Sequence, residues 1–303
     1  DPTSNATLTG IVLTTADATG LNFGIEQPPI AGGAAAPGQA NPGGVTLVPV
    51  PATAFTTGST DSDGTIASYT ISAFPSNATS ITINGTNYTA ATFPAAGVVI
   101  PAAQIGTILV DPVAGSVTVD IPFTVTDNAG VVSANAGTAS IPFTGITVSG
   151  TVLNDTNGAT NALVDGAGTN AASLTLTAYL VDALGNVAAV DTVAANGNYL
   201  FNNVANGNYT VVLSNSSGTA VGQPAPGASL PAGWVNTGEG VAPAGDGTVN
   251  GATPVTVNNA SVTNVNFGIE QPPIVGGTVA PGQTNPGGAT NVAVPASAFT
   301  TGS

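Results

Sequence analysis

The side chains best suited to chemistry in this sequence are aspartates placed next to glycine. Asp61 and Asp63 lie in the segment Asp-Ser-Asp-Gly, and Asp127 begins a second turn segment, Asp-Asn-Ala-Gly. Carboxylate oxygens at such spacing are ligands for hard cations, above all Ca²⁺. The same composition is also common in plain tight turns. The sequence therefore offers a candidate calcium loop at Asp61 and Asp63, with Asp127 as a further ligand, and a simple turn as the alternative.

The composition excludes most catalytic chemistry. The 303 residues include no Lys, Arg, His, Cys or Met, against 15 acidic residues, which gives a formal net charge of −15. Without His, Lys or Cys there is no ordinary base near neutral pH and no thiolate, so Ser-His-Asp, Cys-His and the usual zinc sites are excluded. Paired carboxylates can make a glycosidase, but these acids are scattered through predicted turns without an aromatic sugar platform. We expect a protein that is not an enzyme.

The same composition limits the partners. Nothing in the chain can neutralise phosphates, so we expect no nucleic-acid partner. There is no run of 18 apolar residues and no basic segment before an apolar one, which predicts neither a membrane span nor a signal peptide in these residues. A hydrophobic content of 42% with only 5% charged residues favours a folded chain over a disordered one.

Strand-like alternation predicts an all-β protein. Residues 117–127 alternate apolar and polar side chains, which predicts a strand with one buried face, and Pro122 on the polar face predicts an edge or a locally unpaired position. Asn84-Gly85 lies between two short alternating runs and predicts a two-residue hairpin. Between residues 146 and 213, short strands at roughly ten-residue spacing predict a meander in a β-sandwich. No helix is predicted.

One segment is repeated. The nonamer NFGIEQPPI occurs at 22–30 and at 266–274, and 30 of the 38 positions of 22–59 recur at 266–303, an offset of 244 residues. A period of this length indicates a tandem array. The first half of the nonamer alternates like a closing strand, and its prolines then end the ladder and begin a linker. We interpret the nonamer as a joint between modules and not as a site.

These features predict tandem β-sandwich domains joined by Pro/Gly-rich linkers. The predicted domains are a strand region that ends a preceding module (1–29), one sandwich (30–145), a second sandwich (146–273) and the start of the next module (274–303).

The second sandwich resembles a known family. Three of its motifs, GNYLFNNVANGNYTVVLSN, LPAGWVNTGEG and VNFGIEQPP, resemble the B-like domains of serine-aspartate repeat surface proteins, which are prealbumin-like β-sandwiches of bacterial adhesins. The first sandwich contains TDSDGTIASYTISAFPSNATSITINGTNYTAATFPAAGV and VDIPFTVTDNAG. It is similar to the immunoglobulin-like or cadherin-like repeats of giant surface adhesins, such as those of gliding bacteria with type IX secretion. The resemblance implies an extracellular protein of the bacterial cell surface.

The resemblance also implies a second calcium site. B-like domains often bind calcium through a loop after their first strand, and the corresponding segment here is 154–166. Its candidate oxygen ligands are Asp155, Asn157, Asn161 and Asp165, with a plain Asn/Gly turn as the alternative. The Lys–Asn crosslinks found in this family are excluded because the chain has no Lys.

The expected function is a non-catalytic structural repeat of an extracellular fibre or adhesin stalk. Its partners would be neighbouring repeats or copies of itself, joined covalently or by a terminal strand that completes a neighbour's sheet. The alternative is a carbohydrate- or ice-binding adhesin module that uses Ca²⁺ and Thr/Asn-rich faces, with surface glycans as partners. Asn-X-Ser/Thr sequons and the segment Asp191-Thr-Val193 predict glycosylation without singling out a site.

Overall fold

A computed structural model describes residues 11, 17, 19–20, 22–157, 163–242, 245–273 and 293–294. The protein is all-β and divides into two units, the first within residues 1–39 and 45–144 and the second within residues 40–44 and 145–303. The described parts of the chain contain no helix long and apolar enough to cross a membrane.

The described residues of the first unit form nine strands and two short helices, and the first and last of these strands run one or two residues past the bounds of the unit. The strands are β1 (Gln39–Asn41), β2 (Val48–Pro49), β3 (Ile66–Ile71), β4 (Ala78–Ile83), β5 (Thr86–Tyr88), β6 (Val98–Pro101), β7 (Leu109–Pro112), β8 (Val117–Asp127) and β9 (Gly137–Gly145). Helix α1 spans Thr53–Thr56 and a 3-10 helix spans Ala102–Thr107, so the expectation of no helix is wrong at these two points. One sheet has the order β1-β9-β8-β3-β6 and the other the order β2-β7-β4-β5.

The two sheets of the first unit share one apolar core, which makes the unit a β-sandwich. Strand β8 alternates buried and half-buried residues along its length, as its sequence predicts. Phe123 on β8 lies at the centre of an aromatic group, with ring centroids 5.3 Å from Phe55 and 5.7 Å from Tyr69. The alternation of β8 therefore places the largest side chains between the sheets.

Two local predictions in this unit have different outcomes. The hairpin at Asn84-Gly85 is confirmed, because both residues have positive φ and Ile83 pairs with Thr86 across them. Of the two alternatives predicted for Pro122, the sheet edge is wrong, since β8 lies between β9 and β3, and the locally unpaired position is confirmed. Pro122 is tolerated there because the pairing with β3 ends at the neighbouring Phe123.

The described residues of the second unit form nine further strands. They are β10 (Val148–Asn154), β11 (Ala167–Gly168), β12 (Thr177–Val181), β13 (Val187–Thr192), β14 (Asn198–Phe201), β15 (Gly207–Ser214), β16 (Val235–Val241), β17 (Ala252–Val257) and β18 (Val265–Glu270). One sheet has the order β11-β10-β18-β16, with β14 also paired to β10, and the other has the order β13-β12-β15-β17. Side chains of both sheets form one core, so this unit is also a β-sandwich.

The predicted meander is interrupted at β14. The strand leaves the sheet of β13 and pairs antiparallel with β10 in the other sheet. Tyr199 and Phe201 on β14 are both buried in the core, and the Tyr199 hydroxyl donates a hydrogen bond to the carbonyl oxygen of Val265. Crossing to the other sheet therefore places both rings between the sheets and gives the phenol a partner.

The two copies of the repeated nonamer have different environments. In the second copy, Phe267 and Ile269 lie on β18 between β10 and β16 and are fully buried, which confirms the predicted closing strand. In the first copy, Phe23 is 60% exposed and Ile25 is 90% exposed, and neither belongs to a strand. The phenylalanine and the isoleucine of the nonamer are therefore buried only in the copy that pairs with other strands of a sandwich. The predicted roles of 1–29 and 274–303 stay predictions, and apart from 293–294 the latter range lies outside the described residues.

Candidate metal centre

Backbone pairing holds the end of the nonamer against the predicted calcium loop. Ile30 and Thr60 exchange both backbone hydrogen bonds, at N–O distances of 2.7 and 3.1 Å. Farther along, the amide of Gln27 donates to Oδ2 of Asp63 at 3.0 Å, and the Ser62 hydroxyl donates to the Gln27 side-chain oxygen at 2.8 Å. The segment before the first sandwich is therefore attached to the loop at several points.

This attachment brings a glutamate to the loop. Carboxylate oxygens of Glu26, Asp61 and Asp63 all lie within 4.8 Å of one another. The pKa of Glu26 is raised, first by desolvation and then by the negative charges of Asp63, Asp127 and Asp61. The structure thus brings Asp61 and Asp63 together as the sequence predicts, and it adds Glu26, which our interpretation of the nonamer as a joint had omitted.

Asp127, the further ligand that the sequence predicts, is deeply buried. It ends β8 and is only 2% exposed. Its Oδ1 accepts hydrogen bonds from the amides of Ala129 at 2.9 Å and Val131 at 2.8 Å. Its Oδ2 is buried and has no hydrogen-bond partner among the described residues. Half of this carboxylate therefore shapes the turn, and the other half is left without a donor.

Asp61 has the same lack of donors. Both of its carboxylate oxygens are buried and neither has a hydrogen-bond partner among the described residues. A Cβ on Gly64 would lie 2.7 Å from Oδ2 of Asp61 and would overlap Oδ1 of Asn128, so a side chain here would displace these oxygens. The amide of Thr65 donates to the same Asn128 oxygen at 2.6 Å. Oxygen atoms therefore converge around Gly64.

The electrostatics of the cluster are unbalanced. The negative charges of three aspartates act on Glu26, and the sequence has no Lys, Arg or His that could neutralise these carboxylates. Buried carboxylate oxygens without donors or counter-charges are costly. An oxygen-only set of this kind matches the ligand preference of hard divalent cations.

The loop implied by the family resemblance is arranged differently. Asp155 is fully buried, and its Oδ2 accepts a hydrogen bond from the Thr237 hydroxyl at 3.1 Å. Asn157 is exposed and Asp165 is half-buried, while Asn161 lies outside the described residues. The Asp155 carboxylate is thus already a hydrogen-bond acceptor within the fold, and calcium binding by this loop stays a prediction.

A buried acid of the second unit was not singled out from the sequence. Glu239 on β16 is fully buried, and its Oε1 accepts a hydrogen bond from the amide of Asn250. Its Oε2 has no partner among the described residues. Burial raises the pKa of Glu239, and the hydrogen bond from Asn250 acts in the opposite direction.

We expect Glu239→Gln to stabilise the second unit more at pH 7 than at pH 4. Because the pKa of Glu239 is raised on folding, the folded unit loses stability as the pH rises from the unfolded pKa through the folded one, and a neutral amide removes that loss. Urea unfolding followed by fluorescence of Trp234 at both pH values measures the effect. A stabilisation of the same size at both pH values would contradict it.

Comparison with known proteins gives only distant structural likenesses. No protein-family model and no curated protein sequence matches the chain. Among solved structures, it is similar to BcpA*(D312A), the major pilin subunit of Bacillus cereus, with 11% identity, 69% of this chain and 60% of that chain covered, and a TM-score of 0.31. It is also similar to the T6 backbone pilin of serotype M6 Streptococcus pyogenes, with 9% identity, 69% of this chain and 63% of that chain covered, and a TM-score of 0.29. A third similar structure is the group B streptococcus pilus 2b backbone protein, with 12% identity, 70% of this chain and 88% of that chain covered, and a TM-score of 0.33.

The match spans less than two thirds of the first two of these pilins. Identities and TM-scores at this level do not transfer a function, so the function has to be argued from the residues of this chain.

Proposed function

We propose that this chain is a non-catalytic structural part of an extracellular bacterial surface fibre or adhesin stalk, built from alternating β-sandwiches. The observation that carries the proposal is the double use of the nonamer. In its second copy, residues 266–270 belong to the closing strand of one sandwich. In its first copy, residues 26–30 are already bonded to the loop of the other sandwich. The nonamer thus belongs to the end of one kind of sandwich in one copy and to the start of the other kind in the other copy.

The chemistry of this joint suits a load-bearing chain. Pro28 and Pro29 have fixed φ angles, and Pro29 is buried. Ala31 and Ala36, which follow directly, are buried in the core of the first unit. The chain therefore passes from one sandwich to the next through restricted backbone, which limits bending. The absence of His, Lys and Cys agrees with a mechanical role.

Serial connection within one chain is the assembly we favour over strand exchange between chains. The position of a closing strand in the second unit is filled by its own β18, which lies between β10 and β16. Exposed Phe23 and Ile25 repeat the buried residues of that strand, so we assign them to the corresponding place in a preceding sandwich of the same array.

The test is the shape of concatemers of one, two and four 244-residue periods. We expect the maximum dimension from small-angle scattering to grow in proportion to the number of periods, and antibodies to label the surface of intact cells that make the protein. Concatemers that collapse to a compact particle would contradict the proposal. Specific binding of a glycan or of ice by a single period, without elongation, would favour the alternative of a ligand-binding module.

A further inference from the structure

We propose that Glu26 acts with Asp61, Asp63 and Asp127 to form a calcium site at the joint, so that the repeated nonamer is a metal ligand as well as a strand. The ligand is a divalent cation bound by oxygen alone. The inference deepens the proposed stalk function, but whether the ion binds can be decided independently of that function.

The first support is the convergence of the carboxylates. Oxygens of Glu26, Asp61 and Asp63 lie within 4.8 Å of one another although Glu26 is 35 residues before Asp61. The hydrogen bond from the amide of Gln27 to Asp63 and the paired backbone of Ile30 and Thr60 fix this approach. The glutamate is thus held at the loop by neighbours that do not depend on its own side chain.

The second support is independent of the first. Asp127 comes from the other end of the first unit's sequence, is 2% exposed, and has one carboxylate oxygen with no partner among the described residues. Asp127 directly precedes Asn128, whose side-chain oxygen accepts a hydrogen bond from the amide of Thr65 in the same loop, and its negative charge contributes to the raised pKa of Glu26. Its other oxygen is fixed by the amides of Ala129 and Val131, which orients the free oxygen. A buried carboxylate oxygen that lacks a donor, next in sequence to a residue that contacts the loop, matches a cation ligand.

The third support is the charge balance of the chain. With no Lys, Arg or His in the sequence, no side chain of this protein can neutralise the cluster. Asn128 adds a side-chain oxygen close to Asp61. Calcium accepts such irregular sets of carboxylate and amide oxygens, whereas Mg²⁺ demands near-octahedral geometry. We therefore assign the site to calcium.

The position of the site gives the ion a mechanical role in the proposed array. In the second copy the corresponding residue, Glu270, is the last residue of β18. A ligand at this point connects the end of a closing strand to a loop of the following sandwich. Calcium would then stiffen each joint where the nonamer is followed by an Asp-Ser-Asp-Gly loop.

The test is calorimetric titration of the whole chain with CaCl₂ after chelation, comparing wild type with Glu26→Gln. We expect the variant to lose at least about tenfold in affinity for one calcium ion, because a charged ligand becomes neutral. Glu270→Gln is the matched control, since it changes the same nonamer at a glutamate outside the carboxylate group of Asp61 and Asp63, and its affinity should equal that of wild type. Mg²⁺ should bind more weakly than Ca²⁺.

Hydrogen exchange locates the ion. Calcium should slow exchange at residues 22–30 and 61–65 in wild type and not in Glu26→Gln. Wild-type affinity in Glu26→Gln, calcium protection confined to residues 154–166, or no calcium binding by folded protein would each overturn the inference. Circular dichroism confirms that the exposed substitution leaves the fold intact. Elongated concatemers in chelator together with a failed titration would refute the calcium site and leave the stalk function standing.

Discussion

Phe267→Ala is expected to destabilise the second unit by about 3–5 kcal/mol, whereas Phe23→Ala is expected to change stability by less than about 0.5 kcal/mol. The two phenylalanines occupy the same position of an identical nonamer. Local sequence therefore cannot account for a difference between them, and only the tertiary environment can.

The environments differ completely. Phe267 is fully buried on β18, and its ring centroid is 6.3 Å from that of Tyr199. Truncation removes the buried ring and leaves a cavity between the two sheets. Phe23 is 60% exposed, so truncation removes a ring that already contacts water.

Trp234 provides the measurement for Phe267→Ala, and calorimetric unfolding of the whole chain provides it for Phe23→Ala, because Phe23 lies in the first unit. Trp234 is the only tryptophan of the chain and packs against the core of the second unit, so its fluorescence during urea unfolding reports that unit. A unit-specific signal is needed because a chain of two units need not unfold in one step. Equal effects of the two substitutions would show that the burial of β18 does not stabilise the second unit.

Much of the fold could be predicted because its signals are local. The alternation of residues 117–127 requires only a two-residue period, and Asn84-Gly85 requires only that both residues adopt positive φ. Turns and single strands are decided by a few neighbouring residues, so the sequence shows them directly.

The pairing of strands could not be predicted in the same way. Strand β14 follows β13 after a short turn, yet it pairs with β10 in the other sheet. Strand β8 lies between β9 and β3, whereas the local pattern around Pro122 left open whether the strand is an edge strand or only locally unpaired. Both outcomes depend on which distant segments fill the core, and no local pattern contains that information.

The candidate metal centre was partly predictable. Asp61, Asp63 and Asp127 followed from turn chemistry, but Glu26 was assigned to a joint because it lies beside two prolines. A signal was present, since the chain has only three glutamates and two of them, Glu26 and Glu270, occur in the repeated nonamer. A rare acidic residue kept in a repeated joint indicates a role beyond connection. Glu26 lies close to the loop of Asp61 and Asp63 because Ile30 pairs with Thr60, and only the structure shows this pairing.

A single added methyl group at Gly150 is expected to have an effect of similar size to the loss of the Phe267 ring. Gly150 lies on β10, where an added Cβ would overlap the carbonyl oxygen of Val265 and lie 2.5 Å from the hydroxyl oxygen of Tyr199. That hydroxyl donates to the same carbonyl, and Tyr199 is buried. Gly150→Ala therefore forces β10 and β18 apart and leaves a buried phenol without its acceptor. Together these costs amount to about 2–6 kcal/mol.

Gly227→Ala is the matched control for this substitution. Gly227 belongs to the same unit, its φ is not positive, and an added Cβ would meet nothing within 4 Å, so the change should be neutral or slightly stabilising. Urea unfolding followed through Trp234 compares the two variants. Near-wild-type stability of Gly150→Ala would mean that β10 and β18 can separate without cost. Their close parallel pairing would then not be what closes the second sandwich, and the nonamer would join the modules without stabilising the one that it ends.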